Sequence, residues 1–302
     1  MSLKESSHGR SAVACWIEAM RLRTLPVSVA GVVYAAGLGV ATWRFSLVPA
    51  LLALTFAVLA QIASNFANEY FDFRDGLDKA GREGPRRGVT EGDITPQAML
   101  VATLATLAVA CVIGVVLVAL YGSAWMYAAG VATALGAMAY SAGPYPLSRH
   151  GLGEVAVVCF FGIVPVCLTY MLMGGPWAWW LLVASVGIGL MGANVLIVNN
   201  YRDREEDREV GKHTLAVRYG PVAMASLYVA NGFMAVILTL PAWMATMRAG
   251  LIPPLVYIVL HLVLSRRLTT LKGRALNPLL GMTAMLMLAY TVSFLIFAII
   301  SQ

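Results

Sequence analysis

The chain is divided by long stretches that contain no Asp, Glu, Lys or Arg: residues 25–43, 45–68, 94–148, 155–201, 219–247, 249–265 and 275–302. A helix crosses the hydrocarbon core of a bilayer with about 20 residues, so most of these stretches hold one crossing. Residues 94–148 and 155–201 are long enough for two. They divide at Tyr121-Gly122-Ser123 and at Gly174-Gly175-Pro176-Trp177, where Gly, Pro and interfacial aromatics suit a turn. The expected fold class is an all-α polytopic membrane protein with nine transmembrane helices, a single membrane-embedded domain over 1–302. Composition agrees, at 60% hydrophobic and 12% charged, because a soluble globule could not hide so much apolar surface. Residues 1–24 are a basic segment without a short apolar core, so no cleaved signal peptide is expected.

The net charge of +6 does not indicate nucleic acid, since the basic residues are spread among the loops. All Lys and Arg except Arg44 and Arg248 fall in alternate loops. The positive-inside rule makes that side cytoplasmic, with the N-terminus inside and the C-terminus outside a bacterial-type inner membrane. Cys15, Cys111, Cys159 and Cys167 have neither zinc spacing nor a disulfide pattern.

The acids are far less evenly spread. All but Glu5, Glu18 and Glu154 lie in 69–93 and 203–209, both on the cytoplasmic side. Each cluster opens with N-x-Y-x-D: Asn68-Glu69-Tyr70-Phe71-Asp72 and Asn199-Asn200-Tyr201-Arg202-Asp203. On a helix, Asn68, Asp72 and Asp75 share one face, as do Asn199, Asp203 and Asp207. Such oxygen-rich faces suit Mg²⁺, which binds a few carboxylates together with phosphate oxygens. The interleaved cations Arg74, Lys79, Arg82, Arg86, Arg87, Arg202, Arg208, Lys212 and Arg218 suit the remaining phosphate oxygens. Glu83, Glu91, Asp93, Glu205, Glu206 and Glu209 read as ordinary loop charges.

These residues resemble the UbiA superfamily of intramembrane aromatic prenyltransferases, a nine-helix fold with Asp-rich motifs near the ends of its second and sixth helices. The resemblance rests on the two motifs, on Gly76-Leu77-Asp78, on Gly211-Lys212-His213-Thr214, on Arg23-Thr24-Leu25-Pro26 and on Gly151-Leu152-Gly153-Glu154. It is nearest to the members that prenylate 1,4-dihydroxy-2-naphthoate in menaquinone synthesis. Glu69 stands where many members have Asp, and residues 143–149 depart from the usual Pro-Tyr-x-Tyr-like run.

The resemblance implies transfer of a polyprenyl group from its diphosphate to the naphthoate with loss of the ring carboxylate, or to 4-hydroxybenzoate in a related enzyme. It implies Mg²⁺, two ions bridging the diphosphate, near Asn68, Asp72, Asp75, Asp78, Asn199, Asp203 and Asp207. Asn200, Lys212, Arg208 and Arg218 would bind the diphosphate, with Arg74 and Arg86 beside them. Tyr70, Tyr140 and Tyr201 would shelter an allylic cation, and Arg23 or Arg149 would face the acceptor. Residues 71–96 and 202–218 would be cytoplasmic active-site loops. From a different class, a cation-coupled secondary transporter would also use repeated polar sites, but near the bilayer midplane.

Overall fold

The computed structural model describes residues 11–246 and 251–302, and every regular element among them is helical. The first ten residues of the basic N-terminal segment and Arg248 lie outside the described residues. A short helix α1 (Ala12–Ala19) leads into α2 (Leu25–Ala41), α3 (Leu47–Arg74), α4 (Pro96–Tyr121) and α5 (Trp125–Ala139). Then follow α6 (Gly153–Leu172), α7 (Trp179–Glu209), α8 (Leu215–Thr246), α9 (Ile252–Thr270) and α10 (Asn277–Ile300). Among the described residues, 8 helical segments are long and apolar enough to cross a membrane, counting α1 and α2 as one. α5 is apolar but only 15 residues long, roughly 22 Å at 1.5 Å per residue. Nine crossings were expected; the described residues give eight full-length candidates, and α5, where the ninth was expected, is shorter than the usual span.

Local chemistry sets the helix ends. Thr95 Oγ1 accepts from the Ala98 amide and Pro96 occupies the first turn of α4, where its missing N–H costs nothing. Gly122 ends α4, and Gly174, at φ 89°, follows α6, both at the sequence-predicted divisions. Residues 202–209, expected in a loop, instead continue α7 to Glu209. Their charges are paired against neighbouring elements, so the helix extends beyond its apolar part.

The outward faces of α4 and α9 are apolar and exposed, with Val101, Val112, Leu120, Ile252, Leu255 and Val259 all more than half accessible. Lipid is their solvent. Trp43, Trp125, Trp177 and Trp179 are exposed at helix ends opposite, in chain order, to the acidic motifs, as in an interfacial aromatic belt. Inside, α2, α6, α7, α8 and α10 bury Tyr34, Tyr170, Ile188, Tyr228, Trp243 and Phe294. Between helices in lipid, close packing rather than water exclusion drives association, and small residues allow it. α6 and α7 meet at Gly162 and Gly189, where a Cβ on Gly162 would lie 2.5 Å from the Gly189 backbone. The turns of α6 over Val158–Ile163 widen to a π-helix just before Pro165, which lacks an N–H for the ladder.

Candidate active site

Both acidic helices stop in the same way. At the end of α3, Gly76 (φ 69°) donates to Phe73 O at 3.0 Å and Leu77 to Asp72 O at 2.8 Å. At the end of α7, Gly211 (φ 77°) donates to Arg208 O at 3.2 Å and Lys212 to Asp207 O at 2.8 Å. These are Schellman caps, with a glycine in the left-handed position that other residues avoid. By cap position Asp72 corresponds to Asp207, whereas by N-x-Y-x-D it corresponds to Asp203. The second motif is thus one helical turn longer than the first.

The caps turn the chain back over the helix ends, and cations from these turns bridge the motifs. Lys212 Nζ lies 3.0 Å from Asp72 Oδ2 and 3.8 Å from Asp207 Oδ1. Arg82 reaches Asp78 at 3.0 Å and Asp203 at 2.8 Å. Arg202 also holds Asp203, through Nε at 2.6 Å, and ties it to Asn199 and to Asn277 of α10. Asp72 and Asp203 are 1% and 2% exposed, and carboxylates so buried are tolerable only when paired. Asn68 Oδ1 accepts from Arg21 at 2.7 Å and from Arg87 at 3.1 Å, while its Nδ2 donates to Ser141 Oγ. Asn200 Nδ2 donates to the buried Glu154 at 3.0 Å.

An open cavity lined by charged and amide side chains lies between the motifs. Asn68, Asp72, Asn199, Asn200, Asp203, Asp207, Lys212 and Tyr140 of the sequence-predicted residues line it. Arg82 and Arg87, expected among the phosphate-binding cations, join them, as does Arg21, to which the sequence gave no role. A second cavity, lined mainly by apolar side chains of α2 to α6, adjoins the first. Gln61, Ser64, Tyr140 and Phe161 border both.

The remaining expected residues lie elsewhere. Arg149 is outside the lining but reaches Asp72 at 3.4 Å and Asp75 at 2.6 Å. Asp75, the C-cap of α3, faces outward to Arg74 and Arg149. Asp78 is buried behind Arg82 and Arg87. Tyr70 packs beside the α1 cluster of Cys15, Ala19 and Phe66, and Tyr201 against the main core, so neither ring faces the cavity. Arg86 pairs with Asp93, Arg208 with Glu205, and Arg218 with the His150 carbonyl. Arg74 sits over Phe71 and Arg23 is exposed. Arg21, and not Arg23, reaches the cavity: it is in a left-handed turn (φ 52°) between α1 and α2 and its guanidinium donates to Asn68. No local signal separates Arg21 from Arg23, which stands nearer to Pro26.

Burial, and then the neighbouring Asp72 charge, pushes the Asp78 carboxyl up to about 6. Burial, and then Glu154, also raises the Tyr140 phenol, which stays protonated at neutral pH. Among the described residues no three His, Cys, Asp or Glu side chains come together closely enough to hold a metal ion by themselves. Asp72, Asp203, Asp207, Asn68 and Asn199 nonetheless present hard oxygens around one space, and two side-chain cations are already drawn between the acids. Such an open donor set fits Mg²⁺, which keeps positions for water and phosphate.

The sequence pattern of the UbiA prenyltransferase family matches residues 24–277. The chain belongs to this family, and it is a polyprenyltransferase. It is 37% identical to the 1,4-dihydroxy-2-naphthoate octaprenyltransferase of Mycobacterium leprae over 291 residues, 94% of this chain and 95% of the relative. The enzyme of that name from Escherichia coli is 37% identical over 219 residues, 70% of each chain. The fold resembles a UbiA homologue from Archaeoglobus fulgidus bound to DMAPP and Mg²⁺, with TM-score 0.67 and 17% identity over 93% of this chain and 98% of the other. A UbiA homologue from Aeropyrum pernix K1 also gives TM-score 0.67, at 16% identity over 91% and 96%.

Proposed function

We propose that the protein transfers a polyprenyl group from a polyprenyl diphosphate to 1,4-dihydroxy-2-naphthoate, with Mg²⁺, releasing diphosphate and carbon dioxide and giving demethylmenaquinol. The observation that carries this reading is the pair of adjoining cavities: one is lined by Asp72, Asp203, Asp207, Lys212, Arg21, Arg82 and Arg87, and the other is apolar. A diphosphate with a long hydrocarbon tail needs both. The naphthoate acceptor is supported by the names of the relatives.

Asn68, Asp72, Asn199, Asp203 and Asp207, with Asp78 behind them, would hold Mg²⁺; the bound metal neutralises charge that builds on the leaving diphosphate. Lys212, Arg82 and Arg87 donate to the remaining phosphate oxygens, which stabilises the same charge without reorganisation. The C1–O bond of the donor breaks and its electron pair leaves with the diphosphate. Tyr140 and Phe161, at the boundary between the cavities, offer ring faces to the allylic cation and exclude water. The electron-rich ring forms the new bond to C1, and departure of carbon dioxide leaves its bonding pair in the ring. No net proton is needed.

The proposed topology has nine crossings, α5 being the short one, with the acidic helix ends in the cytoplasm and the C-terminus outside an inner membrane. A cation-coupled transporter is less compatible with acids placed at helix ends and crossed by arginines. The test is incubation of purified protein with Mg²⁺, a polyprenyl diphosphate and either 1,4-dihydroxy-2-naphthoate or 4-hydroxybenzoate, with the products identified by mass spectrometry. A prenylated, decarboxylated naphthalene is expected, and chelation should abolish it. Turnover that survives chelation would remove the metal from the mechanism, and prenylation of hydroxybenzoate alone would replace the acceptor.

A further inference from the structure

We propose that Gln61 reads the acceptor, by accepting a hydrogen bond from a hydroxyl on its aromatic ring. The proposal rests on the prenyltransfer reading above and adds the acceptor contact that reading leaves open.

If the diphosphate lies among the acids and the tail in the apolar cavity, the reacting carbon must lie where the two meet. The ring that attacks it must lie there too. Four residues border both cavities: the aromatic pair Tyr140 and Phe161, and the polar pair Gln61 and Ser64. Gln61 is 9% exposed, and its Oε1 has no hydrogen-bond partner among the described residues.

The polarity of this amide is not free to reverse. A chain of hydrogen bonds fixes it, starting from the Met20 carbonyl, which can only accept. Asn65 must therefore turn its Nδ2 toward Met20, and does so at 2.9 Å. That leaves Asn65 Oδ1 facing Gln61, so Gln61 must offer Nε2, at 3.2 Å. Oε1 is then committed to remain an acceptor without a donor. A buried carbonyl oxygen left unpaired costs free energy that a ligand O–H recovers. A ring without a hydroxyl, or with that hydroxyl methylated, leaves the cost in place. A site built to bond a substrate O–H discriminates strongly against analogues that lack it.

The test is steady-state kinetics and competition by the two mono-O-methyl ethers of 1,4-dihydroxy-2-naphthoate, with wild type, Gln61→Leu and Gln61→Glu. Gln61→Leu should raise the acceptor KM about 10- to 100-fold and leave the KM for polyprenyl diphosphate within about twofold. Wild type should bind one ether more weakly than the free diol by a similar factor. Gln61→Leu should lose that preference and Gln61→Glu, which keeps an acceptor oxygen in the same volume, should retain it. An unchanged acceptor KM, a parallel rise in both KM values, or a methyl-ether preference that persists in Gln61→Leu would each overturn the proposal. If wild type prenylates only 4-hydroxybenzoate, the naphthoate reading fails while Gln61 is judged by the same variants against 4-methoxybenzoate. If wild type prenylates neither acid, both fail.

Discussion

Lys212 Nζ stands 3.0 Å from Asp72 Oδ2, joining residues separated by 140 positions in the chain and by the whole of α4 to α7. It also approaches Asp207 at 3.8 Å, so one ammonium serves an acid from each motif. It occupies the place between carboxylates where a divalent cation would be attracted. Lys212→Met should therefore bind Mg²⁺ alone several-fold more tightly, because the competing charge is gone. It should also lose about 10²-fold in kcat, because the leaving diphosphate loses a cationic partner. Titration calorimetry and single-turnover kinetics measure the two effects separately; weaker Mg²⁺ binding would contradict the competition.

Asp72→Asn and Asp203→Asn keep the side-chain volume and remove only charge. Each should lower kcat by about 10²–10³-fold, while the protein remains folded in detergent by circular dichroism. Near wild-type turnover in either variant would make these acids structural partners of Lys212 and Arg202 and nothing more.

Metal binding should couple to pH through Asp78. Its carboxyl is raised from an ordinary 3.8 to about 6, so the folded protein holds a proton there that the unfolded chain has released. Stability of the metal-free protein should accordingly fall as pH rises from about 4 to about 6. A Mg²⁺ ion held by the Asp78 carboxylate should bind more weakly as pH falls below about 6. Calorimetry at pH 5.5 in buffers of different ionisation enthalpy should detect proton release on binding, and Asp78→Asn should reduce that release.

Arg202 is buried and holds Asp203, Asn199 and Asn277 at once. Arg202→Leu should destabilise the protein by about 3 kcal/mol, since it leaves a buried carboxylate with Arg82 as its remaining cation. Thermal unfolding in detergent should show this as a lower midpoint, and a variant as stable as wild type would mean that Arg82 alone suffices.

Gly130 borders the apolar cavity, and a Cβ added there would meet nothing within 4 Å. Gly130→Phe should consequently project a ring into the tail's space without disturbing the helix. It should reduce kcat/KM about tenfold for a polyprenyl donor and much less for dimethylallyl diphosphate. Equal losses for both donors would place the tail elsewhere.

The charge-free stretches, the turns at Gly122 and Gly174, and the gathering of acids at one end of α3 and α7 were all legible in the chain. Each depends on near neighbours: an apolar run of sufficient length, a residue that ends a helix, an Asn and an Asp one turn apart. The continuation of α7 to Glu209 was not legible. There the sequence is as polar as a loop, and only Asn277, Arg82 and Lys212, brought from other segments, make a buried helical turn favourable.

The same division separates the acids from the cations. The sequence by itself determined which helix faces carry oxygen, because helical spacing fixes side-chain direction once the helix is given. Only the tertiary structure decided that Asp207, not Asp203, shares Lys212 with Asp72, and that Arg21, Arg82 and Arg87 enter the cavity while Arg23, Arg74, Arg86, Arg208 and Arg218 do not. Those arginines lie mostly in turns or at helix ends, where neighbours in sequence point in unrelated directions. Arg21 is turned by its own left-handed backbone, and Arg82 and Lys212 are held by carboxylates more than 100 positions away. Pairing across such distances follows from which helices pack together, and no local pattern of residue types contains that information.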